Sequence, residues 1–120
     1  MDKENHRMSP IEINKDEFRE IGYRLVDTIS DFYDTINERP VTTGETPKQI
    51  QTVLGNDFLP ENVTSVSELV IKTSNLLLNH SLLNGHPKVF GYITSSPSQI
   101  GALADFLAAA INPNVGANIL

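Results

Sequence analysis

The sequence contains no cysteine, so it has neither a disulfide framework nor a thiolate zinc site, and no thiol nucleophile is available. Basic residues are also scarce, since nine Lys and Arg stand against fifteen Asp and Glu, for a net charge of −6. A nucleic-acid groove needs a basic stripe that neutralises phosphates. The composition therefore predicts no nucleic-acid partner.

Long apolar runs are absent as well. The first residues, MDKENHR, are polar, whereas a secretory signal has an apolar core. The longest nearly apolar run, from Ala102 to Ile111, contains Asp105 and is too short to span a bilayer. With 120 residues the chain is one domain or part of one. We expect a cytoplasmic protein with no membrane partner.

Charge is scarce in the final third of the chain. Ten of the fifteen acids lie in residues 1–38, and only Asp105 lies beyond Glu68. From residue 86 to residue 117 the only Lys, Arg, Asp or Glu residues are Lys88 and Asp105, and most of the others are small, apolar or hydroxylated. A large exposed apolar surface marks an interface or an incomplete fold. We therefore expect this region to be covered by another part of a larger protein.

The spacing of apolar residues predicts helices near residues 15–38, 47–54, 66–79 and 97–111. The last of these is apolar nearly all round, so it should be buried on all sides. Residues 1–14 are expected to be a flexible N-terminus. The predicted fold class of this fragment is all-α.

Capping residues mark the helix starts, because their side chains accept bonds from free backbone N–H groups. Asn14 and Ser65 each have a glutamate three residues later, as in a capping box. Thr46 and Ser96 each precede a proline, which is favoured at the first helical position. The segment 89–93 is the only one with β character.

Hydroxyl groups cluster just before the last helix, at residues 94–98. The free N–H groups and the dipole of a helix start suit a carboxylate or phosphate, although a serine here is also explained as a helix cap alone. Tyr92, just upstream, can wall a planar ligand or simply pack against its neighbours.

The three histidines have no ligand spacing between them, so no metal site is expected. His86 precedes Pro87 and is interpreted as a turn residue. The sequence shows no Ser-His-Asp order, paired carboxylates or glycine-rich phosphate loop. The residues by themselves therefore indicate a possible anion pocket without catalytic machinery.

Several motifs occur in a fixed order along the chain. They are Phe18-Arg19-x-x-Gly22, Leu25-Val26-Asp27-x-Ile29, Tyr33, Glu38-Arg39-Pro40-Val41, His86-Pro87-Lys88-Val89-Phe90-Gly91-Tyr92, Leu103-Ala104-Asp105-x-Leu107 and Asn114-Val115-Gly116. Together they resemble the N-terminal region of the pyridoxal-phosphate-dependent group II amino-acid decarboxylases, which include the aromatic-L-amino-acid, histidine, tyrosine and glutamate enzymes. The resemblance covers roughly residues 15–120.

The resemblance implies that residues 15–120 are a helical N-terminal arm, truncated before the α/β cofactor-binding domain of fold type I. In the resembled family this arm clasps the partner subunit of a homodimer. The implied full-length protein is an enzyme that decarboxylates an amino-acid substrate with pyridoxal 5'-phosphate as its cofactor.

The same resemblance assigns two substrate contacts. Tyr92 falls where the family has an aromatic wall of the substrate pocket, and Ser95 falls where many members have a threonine near the substrate carboxylate. The Schiff-base lysine and the other cofactor ligands would lie beyond residue 120. We therefore expect no catalytic, cofactor-binding or metal-binding residue within residues 1–120, and no activity from this fragment alone.

Three positions depart from the aromatic members of the family. Asn84 stands where a Trp is usual, Ile93 where a Phe is common, and Ala117 where a Phe follows the glycine. Each difference makes the implied pocket less aromatic. The alternative function is a non-catalytic helical oligomerisation module that only resembles the arm.

Overall fold

A computed structural model describes residues 12–56, residue 58 and residues 62–112. Within these residues the chain forms four α-helices and no strand, so the all-α class expected for this fragment is confirmed. The helices are α1 (Lys15–Thr35), α2 (Pro47–Leu54), α3 (Val66–His80) and α4 (Gln99–Ile111), and a 3₁₀ turn (Ile36–Glu38) extends α1.

The start of α1 follows from its cap. The Asn14 side-chain oxygen accepts from the backbone N–H groups of Asp16 and Glu17 at 3.0 and 2.9 Å, which satisfies two donors that have no partner within the helix. The helical path ends before Pro40, because the residue before a proline is pushed out of the α region. Of the expected flexible N-terminus, residues 1–11 lie outside the described residues.

A complete capping box occurs at α2, where the sequence indicated only a cap and a proline. The Thr46 hydroxyl accepts from the Gln49 N–H, and the Gln49 side chain accepts in return from the Thr46 N–H at 2.8 Å. The caps predicted at Asn14 and Ser65 are confirmed, since each side chain accepts from a backbone N–H of the first turn, but neither helix start shows the returning bond from the glutamate side chain that completes a box. A carboxylate that water already solvates gains little from such a bond.

The start of α4 also differs from the prediction. Ser98, not Ser96, is the cap, because its Oγ accepts from the Gly101 N–H at 3.0 Å and helix residues begin at Gln99. Pro97 therefore precedes the cap instead of occupying the first helical position. Its ring lies beside Gly85, where an added Cβ would come within 3.1 Å of the proline Cδ. This packing keeps Pro97 in the loop.

The segment predicted to have β character, residues 89–93, is not a strand. A strand needs a neighbour with which to pair its backbone groups, and the described residues contain none. Tyr92 moreover has a φ of 67°, which lies in the left-handed region and interrupts an extended path.

Little of the described chain is buried. α1 packs along α3, and an Arg24 guanidinium nitrogen lies 3.4 Å from the Ser67 hydroxyl. Among the described residues, Ile21 and Leu83 are the buried apolar side chains. The radius of gyration is 18.8 Å, against about 14 Å for a compact domain of this length. The chain is thus an open arm, and none of its described helices is long and apolar enough to cross a membrane.

Candidate functional site

Both predicted substrate contacts lie on one loop, which we call the hydroxyl loop and define as residues 88–97. Tyr92 and Ser95 are exposed there, and the tyrosine retains 83% of its accessible surface. Ser95 lies ahead of Ser98, whose hydroxyl already caps α4. The Ser95 hydroxyl is therefore not needed to start the helix and is open to solvent.

The apolar side chains of the hydroxyl loop have no cover. Phe90, Tyr92 and Ile93 are all almost fully exposed. Tyr92 adopts its left-handed backbone conformation at a cost of order 1 kcal/mol for a residue with a side chain. Three large apolar side chains in solvent do not form a substrate pocket by themselves, so a pocket here requires a second surface.

The two ends of the hydroxyl loop meet at its base. Pro97 and Ile36 both lie beside Gly85, because a Cβ on this glycine would be within 3.4 Å of each. The Val89 N–H donates to the His86 carbonyl at 3.0 Å. A loop whose ends lie close together in this way is held from its base. The base therefore constrains the position of the segment that carries Tyr92 and Ser95.

A further bond joins the base to the region after α1. The Leu83 N–H donates to the Val41 carbonyl at 2.9 Å, and Leu83 is one of the buried side chains. This bond thus holds the base of the hydroxyl loop near the segment after α1 as well as near the end of α3. The sequence contained no signal for this contact, since a single bond between two irregular segments has no periodic pattern.

His86 does occupy a turn, as we interpreted, but it is also the least exposed of the described residues at 3%. Its Nδ1 accepts from the Lys88 N–H at 3.0 Å. Sequence reasoning missed this burial because the neighbouring residues, Asn84, Gly85 and Pro87, show no apolar pattern. The only available signal was a histidine between turn residues.

A second polar contact anchors the end of α3. His80 Nδ1 lies 2.8 Å from each carboxylate oxygen of Glu45, and the Thr43 hydroxyl donates to the same carboxylate. Hydrogen bonds from Thr43 and then from His80 hold the pKa of the Glu45 carboxyl below its ordinary value. This contact ties the segment before α2 to the last turn of α3.

An apolar groove of about 630 Å³ lies between α1 and α4. The α1 side is lined by apolar residues together with polar ones that include Asp31 and Asp34, and the α4 side is lined by small and apolar residues and by Gln99. The named apolar members are Leu25, Val26, Ile29, Ala102, Leu103 and Phe106. Such a groove accepts apolar side chains from another segment, and the carboxylates of its lining, Asp31 and Asp34, lie on α1.

Comparison with curated proteins shows what the chain resembles. It is 26% identical over 102 residues to an aromatic-L-amino-acid decarboxylase of Bacillus atrophaeus. The aligned residues cover 85% of this chain and 21% of that protein. The chain is 29% identical over 101 residues to a tyrosine decarboxylase of Oryza sativa subsp. japonica, with coverages of 83% and 19%. For tyrosine/DOPA decarboxylase 1 of Papaver somniferum the identity is 27% over 100 residues, with coverages of 83% and 19%.

No family model and no solved structure matches the chain. The similarity to curated decarboxylases confirms the resemblance drawn from the motifs. The chain spans about a fifth of the length of the curated relatives that it matches.

Proposed function

We propose that the chain is the N-terminal, dimer-clasping and substrate-pocket segment of an amino-acid decarboxylase that uses pyridoxal 5'-phosphate. The observation that carries this proposal is an alignment to proteins named as decarboxylases, which covers 83–85% of the chain. The exposed apolar surface of the hydroxyl loop and α4 supports it, because such a surface is stable only when another part of a protein covers it.

The two substrate contacts keep the roles that the resemblance assigns. Ser95 donates its hydroxyl proton to the substrate carboxylate, and Tyr92 forms one wall of the pocket once a second surface covers the loop. The names of the relatives concern aromatic amino acids, whereas Asn84, Ile93 and Ala117 make this chain less aromatic. We therefore propose an L-amino acid as the substrate class. Comparing tyrosine, tryptophan, glutamate and histidine as substrates should identify which kind of L-amino acid is decarboxylated.

The described residues do not fit the cofactor itself. A lysine that forms a Schiff base is activated by desolvation or by a neighbouring cation, and the described lysines, Lys15, Lys48, Lys72 and Lys88, are all exposed. The cofactor supplies an electron sink for the carbanion when it is bound. The contribution that we assign to this chain is to orient the substrate and exclude water, and residues outside it would hold the cofactor.

The decisive variant is Ser95→Ala in the assembled enzyme, with Ser98→Ala as the matched control. Losing a hydrogen bond to a charged carboxylate costs about 1.5–3 kcal/mol, so kcat/KM for carbon dioxide release should fall roughly ten- to a hundredfold with Ser95→Ala. Ser98→Ala removes the α4 cap and should cost about 1 kcal/mol of stability with near-normal turnover. Unchanged kinetics for Ser95→Ala would make the substrate assignment wrong.

A non-catalytic helical oligomerisation module is the second candidate, and the exposed apolar face of α4 favours it. The two functions separate in an assay for pyridoxal-phosphate-dependent carbon dioxide release by the assembled protein. Residues 1–120 alone should give no internal-aldimine absorbance, because we place the anchoring lysine elsewhere. A dialysis-resistant absorbance that borohydride bleaches would contradict that placement.

A further inference from the structure

His86 is the described residue whose burial is hardest to explain as ordinary packing. It is 3% exposed, and its Nε2 is buried with no hydrogen-bond partner among the described residues. An unpaired buried polar atom lowers stability, and a leucine in the same place would avoid that cost. The reason for a histidine at this position must therefore lie with its other ring nitrogen.

The other nitrogen, Nδ1, accepts a hydrogen bond from the Lys88 N–H at 3.0 Å. A ring nitrogen that accepts carries no proton, so the proton of the neutral ring is on Nε2. The His86 N–H donates to the Leu83 carbonyl at 2.9 Å, and its carbonyl accepts from the Val89 N–H at 3.0 Å. Side chain and backbone of this one residue thus fix the chain on both sides of it.

These bonds lie in the turn from which the hydroxyl loop begins. Lys88 is the first residue of the loop, and its last residue, Pro97, packs beside Gly85 in the same turn. No hydrogen bond to the rest of the described chain holds the Tyr92 or Ser95 side chain. The loop that carries these side chains is therefore held at its two ends, by the bonds of residues 86–89 and by the packing of Pro97.

We propose that His86 is a positioning residue, whose Nδ1 holds the Lys88 N–H and thereby sets the hydroxyl loop so that Tyr92 and Ser95 face the substrate. This inference rests on the proposed function of the loop. His86 contacts neither substrate nor cofactor, and it acts through the backbone of residues 86–89.

Three substitutions in the assembled enzyme separate the two ring nitrogens. The Oδ1 of His86→Asn can take the place of Nδ1 and accept from the Lys88 N–H. His86→Gln places a polar group where Nε2 lies, and His86→Leu retains neither. We expect His86→Leu and His86→Gln to lower kcat/KM about fivefold to tenfold with cofactor absorbance unchanged, and His86→Asn to stay within about twofold of the wild type.

Rescue by glutamine but not asparagine would show that Nε2 has a partner and that it, not Nδ1, matters, which overturns the proposal. Equal losses in all three variants would reduce His86 to a packing residue, and no loss in any would remove its role altogether. Either result contradicts positioning through Nδ1.

Amide hydrogen exchange of peptides that cover residues 87–97 gives a readout that does not depend on activity. Exchange should speed up with His86→Leu and His86→Gln and stay near the wild-type rate with His86→Asn. If the wild-type protein releases no carbon dioxide, the proposed function fails while this exchange pattern still tests the anchor. The same exchange rates in all variants would overturn the anchor even in an active enzyme.

Discussion

The described residues between 15 and 89 are tied by contacts between elements far apart in sequence. Arg24 reaches Ser67, Glu45 reaches His80, and the backbone of Leu83 bonds to Val41. The buried side chains, Ile21, Leu83 and His86, all lie in this region. We call it the anchored region.

Residues 90–112 contrast with it, and we call them the open region. The large apolar side chains of the hydroxyl loop and α4 are exposed, including Phe90, Ile100, Phe106 and Ile111. In this region Pro97 packs beside Gly85. The hydrogen bonds among its described residues are formed within α4 or at its two ends. The open region forms a helix from its own sequence, but it has the composition of an interior.

The difference between the two regions lies in their long-range contacts, which the described part of the anchored region has and which the open region shows only where Pro97 packs beside Gly85. A helix cap and a continuous run of helix formers are enough to define α4, whereas burial of its apolar side chains needs another surface. The anchored region positions the loop and helix, and the open region is the part that a larger assembly would cover. This division is what the proposed decarboxylase arm requires.

The largest expected effect comes from a charge in the open region. Leu107→Asp should weaken assembly by at least about 1.5–3 kcal/mol, the contribution of one large apolar side chain that becomes covered. Leu54→Asp is the matched control, because both leucines are 61% exposed in this chain and only Leu107 lies in the open region. Sedimentation velocity should show dissociation for the first variant alone, and equal behaviour of the two variants would refute the distinction.

A smaller effect is expected at the junction of the two regions. Gly85→Ala places a Cβ 3.1 Å from Pro97 and should destabilise the loop base by about 1–3 kcal/mol through overpacking. Gly91→Ala meets nothing within 4 Å and serves as the control. Limited proteolysis of the hydroxyl loop should accelerate for Gly85→Ala only, and acceleration for both would mean that the base does not hold the loop.

The smallest expected effect is a pH dependence of the anchored region. Because hydrogen bonds lower the pKa of Glu45 in the folded chain, its contribution is present above the ordinary glutamate pKa and is lost as the pH falls through the folded value. Urea unfolding between about pH 5 and pH 2 should show part of this loss. Glu45→Gln should remove that part, while Glu38→Gln, at an exposed acid in the 3₁₀ turn, should retain it.

The helices were predictable because their signals are local. Periodic apolar residues and the caps at Asn14, Thr46 and Ser65 fixed three helix starts correctly. The start of α4 was missed by two residues because Ser96 and Ser98 both satisfy the capping pattern, and the packing of Pro97 against Gly85 decides between them.

The site was less predictable than the helices. The motifs led to Tyr92 and Ser95 by resemblance, and their roles remain predictions. The burial of His86 and the Glu45–His80 contact depend on residues brought together by the fold, 35 positions apart in the second case. No periodicity in the sequence records such a contact.

We expect the open region to be covered in the assembled full-length protein, while the anchored region keeps its own contacts. Hydroxyl-radical footprinting of the isolated chain and of the assembled protein tests this coverage, by comparing modification of Phe90, Phe106 and Leu107 with that of Tyr23 and Leu54. We predict strong modification of all five in the isolated chain and marked protection of the first three in the assembled protein. Equal modification of those three in both samples would contradict the coverage of the open region.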